Sequence, residues 1–444
     1  MYTITIDCGT SFLKAALVEY ETGKIIKKIT KRTSEIETKN RLPRIQGAAY
    51  AVKEILREFQ CFGDKFYVGI STEMHGFVLT DMEGNLLCDY VSWKDEWALE
   101  KSERGSYLEE IASLVDMKDI ESTGMPLKAG IASTNLYVVL DKNSGLKGRK
   151  ARFYTLGDYL IYSLTSIIPA VHPTNAAASG LYDLGRKKWN QRLIEQLGYQ
   201  SIQFPSVEED EIVEAQINGC RYCFCEAIGD QQAALLGSGM KENVLSFNLG
   251  TGSQVSILDG NLIFDKTFQT RPFFNNMYLN TIPHVPCGRA LNVYINFFRE
   301  LLKAYNGMEV EDEKLWKIVM ELAATSDDTE LIIDMSFFPN SVNKNTNGKI
   351  ANILETNFTV GNLMRSVFEQ MAENYYVTAK RLLKEKHKVD KVIFSGGVAN
   401  KNLLLREKII ERFPKCEVEV SDQETFRGLW MYVKEVNDLS LIHI

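Results

Sequence analysis

The chain reads as an α/β protein of two lobes, each a mixed sheet flanked by helices, with a cleft between them. Three stretches lead there. Ile6-Asp7-Cys8-Gly9-Thr10-Ser11 places an acid, a glycine and two hydroxyls in a tight turn between β-rich runs. Phe247-Asn248-Leu249-Gly250-Thr251-Gly252 repeats that strand–turn–strand about half a chain later. Gly and Asp favour turns on their own account, so one such hairpin carries little. Two of them, with Gly-Thr at matching places, mark a duplication at domain scale. Between them, Ala227-Ile228-Gly229-Asp230-Gln231-Gln232-Ala233-Ala234 leads an apolar strand through a glycine into small helix formers. The expected boundary falls there, with residues 1–228 forming the first lobe and 229–444 the second.

Taken in order, Tyr2–Ile6, Phe12–Tyr20 and Ile25–Thr30 read as a β-meander with turns at Asp7–Ser11 and Glu21–Lys24. Ala48–Phe59 is predicted as an amphipathic helix, with Val52, Ile55, Leu56 and Phe59 on one stripe. Lys65–Ile70 is a strand that runs into Ser71-Thr72-Glu73-Met74-His75-Gly76. Phe77–Leu79 and Asn85–Leu87 flank a further turn. Helices are predicted over Asn135–Leu140, Arg152–Leu164 and Gln191–Leu197, and a loop of small polar residues over His172–Gly180. In the second half Gly288–Leu302 and Leu363–Lys384 read as helices, the latter with Leu363, Val367, Met371 and Tyr375 in one row. Lys391–Ser395 is a strand closed by Gly396-Gly397, and Leu403–Arg412 is the helix after it.

Hydrophobic residues at 45% and charged residues at 25% are ordinary for a globular chain, and 444 residues can bury a core without staples. A net charge of −7 sets aside a nucleic-acid protein and favours one that handles small molecules. Cys220-x-x-Cys223-x-Cys225 lacks the second Cys/His pair that a zinc site needs, and reads as strand cysteines in a reducing cytoplasm. Asp7 already sits in a strand pattern, which is not how a signal peptide begins. No apolar run approaches the ~20 residues of a spanning helix. The expectation is a cytoplasmic protein without membrane or nucleic-acid partners.

The residue types point to chemistry. An Asp at a helix start is favoured for capping alone, so Asp230 has a structural reading beside that of a base aimed into a cleft. A glycine hairpin with hydroxyls can present N–H and O–H groups to phosphate. Trp93-Lys94-Asp95-Glu96-Trp97 combines aromatic surface with acceptors, which suits a sugar. His75 follows a strand end, where ligands of α/β folds gather. Gly396-Gly397 lets a ribose or base approach the backbone.

Together these stretches resemble the FGGY carbohydrate kinases over nearly the whole chain, and with them the actin-like ATPase (ribonuclease H-like) lobes. The resemblance implies that Gly9, Thr10, Ser11 and Lys14 of the first hairpin, and Gly250, Thr251 and Gly252 of the second, grip the phosphates of ATP. It puts Gly396, Gly397 and Asn400 at the adenosine, with Gly288 and Asn292 on the adenine side. Asp230 falls at the family's catalytic base, with Gln231 beside it. Met74, His75, Trp93 and Asp95 fall in the sugar-binding segments, and Asp7 with Asp230 would hold Mg²⁺. Two departures stand out: Glu73 occupies a place where Gln is common, and the segment from Trp93 to Trp97 lacks the Asn and Arg usual in xylulokinases.

The implied reaction is transfer of the γ-phosphoryl group of ATP to a primary hydroxyl of a small-molecule ketose. The sedoheptulokinase-like branch is favoured, with a xylulokinase or other pentulose kinase as the alternative. Closing the lobes would exclude water as a competing acceptor. A sugar- or nucleotide-sensing protein that had lost the chemistry would be free to lose Asp7, Asp230 and both Gly-Thr turns, and all are present. The oligomeric state is left open, with a homodimer among the expectations.

Overall fold

Alternating β-branched residues at the N-terminus form β1 (Tyr2–Cys8), β2 (Phe12–Glu19) and β3 (Ile25–Arg32), an antiparallel ladder in which Asp7 lies opposite Lys14. The computed structural model describes residues 1–33, 44–307, 310–343, 346–384, 388–422 and 424–442. The chain gathers into two units, one of residues 1–239, 261–278 and 423–444, the other of 240–260 and 279–422. The first unit therefore runs past residue 228 and takes back two later segments.

In the first unit β4 (Lys65–Thr72) pairs with β1 in parallel. β5 (Phe77–Thr80), β6 (Leu86–Val91), β7 (Ala151–Tyr154) and β8 (Ile202–Gln203) make a smaller sheet in the order β8-β7-β5-β6. The chain then returns to the free edge of β4 as β9 (Ile212–Ile217), β10 (Cys220–Cys225) and the short β11 (Ile228–Gly229). The large sheet thus runs β9-β10-β4-β1-β2-β3, with β11 continuing along β4 beyond β10. Cys220, Cys223 and Cys225 lie on a strand, as expected.

Helix α1 (Arg44–Phe59) covers one face of this sheet. Its stripe of Val52, Ile55, Leu56 and Phe59 is fully buried in one cluster with Ile4, Ile6, Phe66 and Val68. Each such side chain contributes roughly 1.5–3 kcal/mol of burial. Helix α2 (Ala132–Lys142) contains the predicted 135–140 segment.

Two expectations need correction. Residues 152–164, read as one helix, divide into β7 and α3 (Leu156–Thr165). The break is a capping box: Thr155 accepts the N–H of Asp158, and the Asp158 carboxylate accepts the Thr155 N–H and hydroxyl. The apolar run concealed this change of period. The predicted loop at 172–180 contains a buried helix, α4 (Pro173–Ala178), with Pro at its first position and the His172 ring as cap. Its alanines are small enough to pack on every side.

The second unit repeats the arrangement. β12 (Val244–Leu249) and β13 (Ser253–Asp259) form the second hairpin, and β14 (Tyr278–Val285), β15 (Lys391–Ser395) and β16 (Glu417–Val420) complete the order β14-β13-β12-β15-β16. As in the first unit, the hairpin's first strand takes a parallel neighbour on its other edge. Helix α6 (Gly288–Asn306) follows β14, and α7 (Val360–Leu383) buries the predicted row Leu363, Val367, Met371 and Tyr375. Among the described residues no helix is long and apolar enough to cross a membrane.

The first unit is closed by α5 (Asp230–Gly237) packed on the C-terminal helix Glu424–Ile442. The two backbones touch at glycines. A Cβ at Gly237 would lie 1.8 Å from the Glu424 carbonyl oxygen, and one at Gly428 would lie 1.9 Å from that of Ala233. Gly428→Ala must therefore push the helices apart, which is expected to destabilise the protein by about 1–3 kcal/mol. Because α5 begins with Asp230, turnover is expected to fall as well. Thermal unfolding and steady-state assays of the variant check both, and an unchanged melting temperature would refute the close contact.

Candidate active site

The register of β4 assembles the site. On one side Asp7 is level with Ser71 and Cys8 with Thr72; on the other, Ile228 is level with Ser71 and Gly229 with Thr72. Asp7, Glu73 and Asp230 therefore emerge together at the carboxyl ends of three neighbouring parallel strands, where α/β folds bind their ligands.

Asp230 is the first residue of α5, and its Oδ1 accepts the Gln231 N–H at 2.7 Å. The carboxylate sits in a recess, and burial pushes its pKa up to about 7, with the negative charges of Asp7 and Glu73 adding to the rise. The Gln231 N–H and the Arg271 guanidinium oppose it. Burial also raises Asp7, against the pull of Lys14 and of the Ser71 hydroxyl, which donates to Oδ1 at 3.1 Å.

Glu73 is buried and ties the surroundings together. Its Oε1 meets Arg44 Nη2 at 3.1 Å, and its Oε2 accepts the hydroxyl of Thr10. Thr10 in turn accepts from Trp93 Nε1 at 3.2 Å, so the tip of the first hairpin is tethered to the indole. Arg44 lies over the Tyr90 ring, 4.8 Å from its centre. The Tyr90 hydroxyl fills the space where a Cβ on Gly76 would be, 2.4 Å away, which makes glycine obligatory there.

Met74 is buried, and His75 adopts a left-handed backbone with φ of 75°. Such a conformation costs roughly 1–3 kcal/mol in a non-glycine residue and gathers at functional sites. The His75 Nδ1–H donates to the Ala178 carbonyl of α4 at 2.8 Å, which fixes the ring. Trp93 is 41% exposed. Asp95 accepts the Ser92 N–H at 2.7 Å and its hydroxyl at 3.1 Å through Oδ2, closing the turn that carries Trp93. Gln231 is held by Arg271, whose Nη1 donates to its Oε1 at 2.5 Å. Lys14 and Ser11 are exposed on the first hairpin.

In the second unit the expected nucleotide residues also meet. The Gly288 N–H donates to Gly250 O at 3.1 Å and the Arg289 N–H to Thr251 O at 3.3 Å. Gly396, at φ of 90°, packs where a Cβ would sit 2.6 Å from Leu249 O. Thr251, Gly252, Gly397, Asn292 and Asn400 are exposed around this glycine cluster.

Residues 2–237 match the model of the FGGY family of carbohydrate kinases, N-terminal domain. The chain belongs to that family. It is a carbohydrate kinase, a phosphotransferase with an alcohol group as acceptor. The mouse sedoheptulokinase is 21% identical over 458 aligned residues, covering 93% of each chain. The solved xylulose kinase of Lactobacillus acidophilus superposes with a TM-score of 0.80 at 17% identity, over 99% of this chain and 90% of that one. The glycerol kinase of Plasmodium falciparum, solved with ADP, gives 0.79 at 15% identity over 99% and 90%. The actin-like ATPase fold is shared with these kinases.

Sequence reasoning missed Arg44 and Arg271. For Arg271 a signal was present: a lone cation flanked by Phe268 on one side and Phe273 and Phe274 on the other.

An Asp230 that accepts a proton must be ionised, so kcat/KM, which reports the free enzyme, is expected to rise with pH through a midpoint near 7. Glu73→Gln removes a negative neighbour and should move that midpoint to lower pH. A pH–rate profile of both proteins decides, and an acid limb that does not move would exclude Glu73 as a contributor.

Proposed function

We propose that this carbohydrate kinase transfers the γ-phosphoryl group of ATP to a primary hydroxyl of a ketose, with Asp230 as the base. One observation carries the reading: a recessed carboxylate at a helix start, lifted to about 7 by burial and by Asp7, so that it can take up a proton at neutral pH. In the reaction a bond forms between the acceptor oxygen and Pγ, the bond from Pγ to the bridging oxygen of ADP breaks, and the hydroxyl proton passes to Asp230. A placed base contributes about 10²–10⁴-fold. The rest is positioning and charge stabilisation.

Asp7 and Asp230 are a donor set that suits Mg²⁺, which takes one or two carboxylates with water and phosphate oxygens. Both carboxylates are raised by burial, and Asp7 raises Asp230 further, a strain that a cation between them would relieve. When bound, the metal would neutralise charge on the β and γ oxygens. Gly9, Ser11 and Lys14 with Gly250, Thr251 and Gly252 are assigned to the phosphates, and Gly288, Asn292, Gly396, Gly397 and Asn400 to the nucleoside. Thr10 donates its one proton to Glu73 and accepts from Trp93, so its part is to hold the hairpin rather than to donate to phosphate.

Met74, His75, Trp93, Asp95 and Gln231 are assigned to the sugar. Trp93 would cover an apolar face, and the His75 ring, fixed through Nδ1, would address a hydroxyl. Among neutral ketoses sedoheptulose is favoured over xylulose, because a sedoheptulokinase aligns over nearly the full chain.

Asp230→Asn conserves size and removes the base. It is expected to lose about 10²–10⁴-fold in kcat while ATP binding by calorimetry and the melting temperature are retained. Near-normal turnover would sink the assignment.

A further inference from the structure

Two cations in the sugar-side half of the first unit form no ion pair among the described residues. Arg271, on the strand Gln269–Pro272, is 6% exposed. Among the described residues it donates only to uncharged groups: Gln231 Oε1 at 2.5 Å, Gln269 Oε1 at 2.6 Å and Met74 Sδ at 3.7 Å. Its Nε is buried and has no partner among the described residues. Lys128 lies partly buried on the loop before α2, and forms no ion pair among the described residues. That loop is anchored at three points. Thr270 N–H donates to Gly124 O at 3.1 Å, beside Arg271. Gly130 abuts Trp93, whose carbonyl oxygen would be 2.4 Å from a Cβ there. The Thr134 hydroxyl donates to the Lys128 carbonyl at 3.0 Å. Lys128 is thereby held between the strand of Arg271 and Trp93.

The charges confirm the proximity. Burial and the repulsion of Arg271 bring Lys128 down to about 8, with Glu96 opposing. Burial brings Arg271 down to about 10, with Asp230 opposing. Buried charges are ordinarily paired, and two neighbouring like charges, one of which is lowered by the other, are a place an anion would stabilise. A neutral sugar leaves both unpaired. A carboxylate matches the planar edge of a guanidinium, and a lysine beside it adds a second contact.

We infer that Arg271 and Lys128 bind a carboxylate of the acceptor, which makes the acceptor a ketose-derived sugar acid, with its primary hydroxyl at one end and the carboxylate at the other. This rests on the sugar-kinase reading above and narrows its substrate class. Arg271 also orients Gln231 and Met74, so it places the acceptor both through charge and through these two neighbours.

The test pairs acceptors that differ only at the far end: D-fructuronate against D-fructose, and D-tagaturonate against D-tagatose. ADP release is followed with the full chain, ATP and Mg²⁺, and acceptor binding without ATP is followed by thermal shift. The acids are expected to exceed their neutral partners in kcat/KM by roughly 10- to 100-fold, the range of a hydrogen bond to a charged group. Lys128→Met and Arg271→Met should bring that ratio close to one, whatever they do to the absolute rate. Lys128→Met keeps the result readable if Arg271→Met fails to fold. Acids that neither bind nor outrun the neutral sugars overturn the inference, and so does a preference that both variants retain. If the neutral ketoses alone are phosphorylated, the acid subsite falls and the kinase reading stands. If the acids raise the melting temperature, Lys128→Met abolishes that rise and no acceptor is turned over, the subsite stands and the reading of Asp230 falls.

Discussion

The site of the first unit depends on the register of β4 between β1 and β11. Parallel pairing puts Asp7, Ser71 and Ile228 on one level, so the next residues of each strand leave the sheet at the same edge. Side chains alternate along a strand, and a slip of one residue on either side would turn the acid of that strand to the opposite face. The core specifies the register. Ile4 and Ile6 on β1, and Phe66, Val68 and Ile70 on β4, join α1 in one buried cluster, and only one alignment buries them all. The placement of the carboxylates is thus a by-product of hydrophobic packing several residues away.

That arrangement is energetically unfavourable by itself. Burial pushes both Asp7 and Asp230 toward protonation, and the charges of Asp7 and Glu73 add to the effect on Asp230. Folding alone gives no reason to bring three acids to one edge. Arg44, Lys14 and the Ser71 hydroxyl offset part of the charge. The strained backbone at His75 belongs with this pattern. Strain and like charge in one place are what a site for a cation and a transferable proton would look like, and a structural helix cap at Asp230 would need neither.

Much of this was legible in the sequence. The two hairpins, the buried stripe of α1, the row on α7 and the helix starting at Asp230 all follow from local pattern, because each depends on periodicity or turn chemistry within a few residues. Residues 152–164 failed for a definite reason: an apolar run hides a strand-to-helix change, and the capping box of Thr155 and Asp158 was the only mark of it. Helix α4 was taken for a loop because alanine and small polar residues lack an apolar stripe when every face is buried. The boundary at 228 fell near the end of the first unit's opening segment, but the return of two later segments could not be seen. The segment 261–278 and the C-terminal helix return to the first unit through contacts such as the glycine pair Gly237 and Gly428. Nothing in the spacing of either segment announces its partner.

The same limit explains why Arg271 was missed while His75 and Trp93 were not. Residues at the ends of strands declare themselves, since the strand and its glycine are adjacent in sequence. A cation that reaches a site from a returning segment has no such neighbour. Arg271 meets Gln231 and Met74 across 40 and 197 residues of chain. What distinguishes it is a fact available only in three dimensions: a guanidinium with little exposure whose hydrogen-bond partners among the described residues are all neutral. A cation required only for folding would ordinarily have a carboxylate beside it, since an unpaired buried charge is strongly destabilising. Asp230 acts on Arg271 without an ion pair between them among the described residues, and the inferred acceptor carboxylate would supply the direct partner.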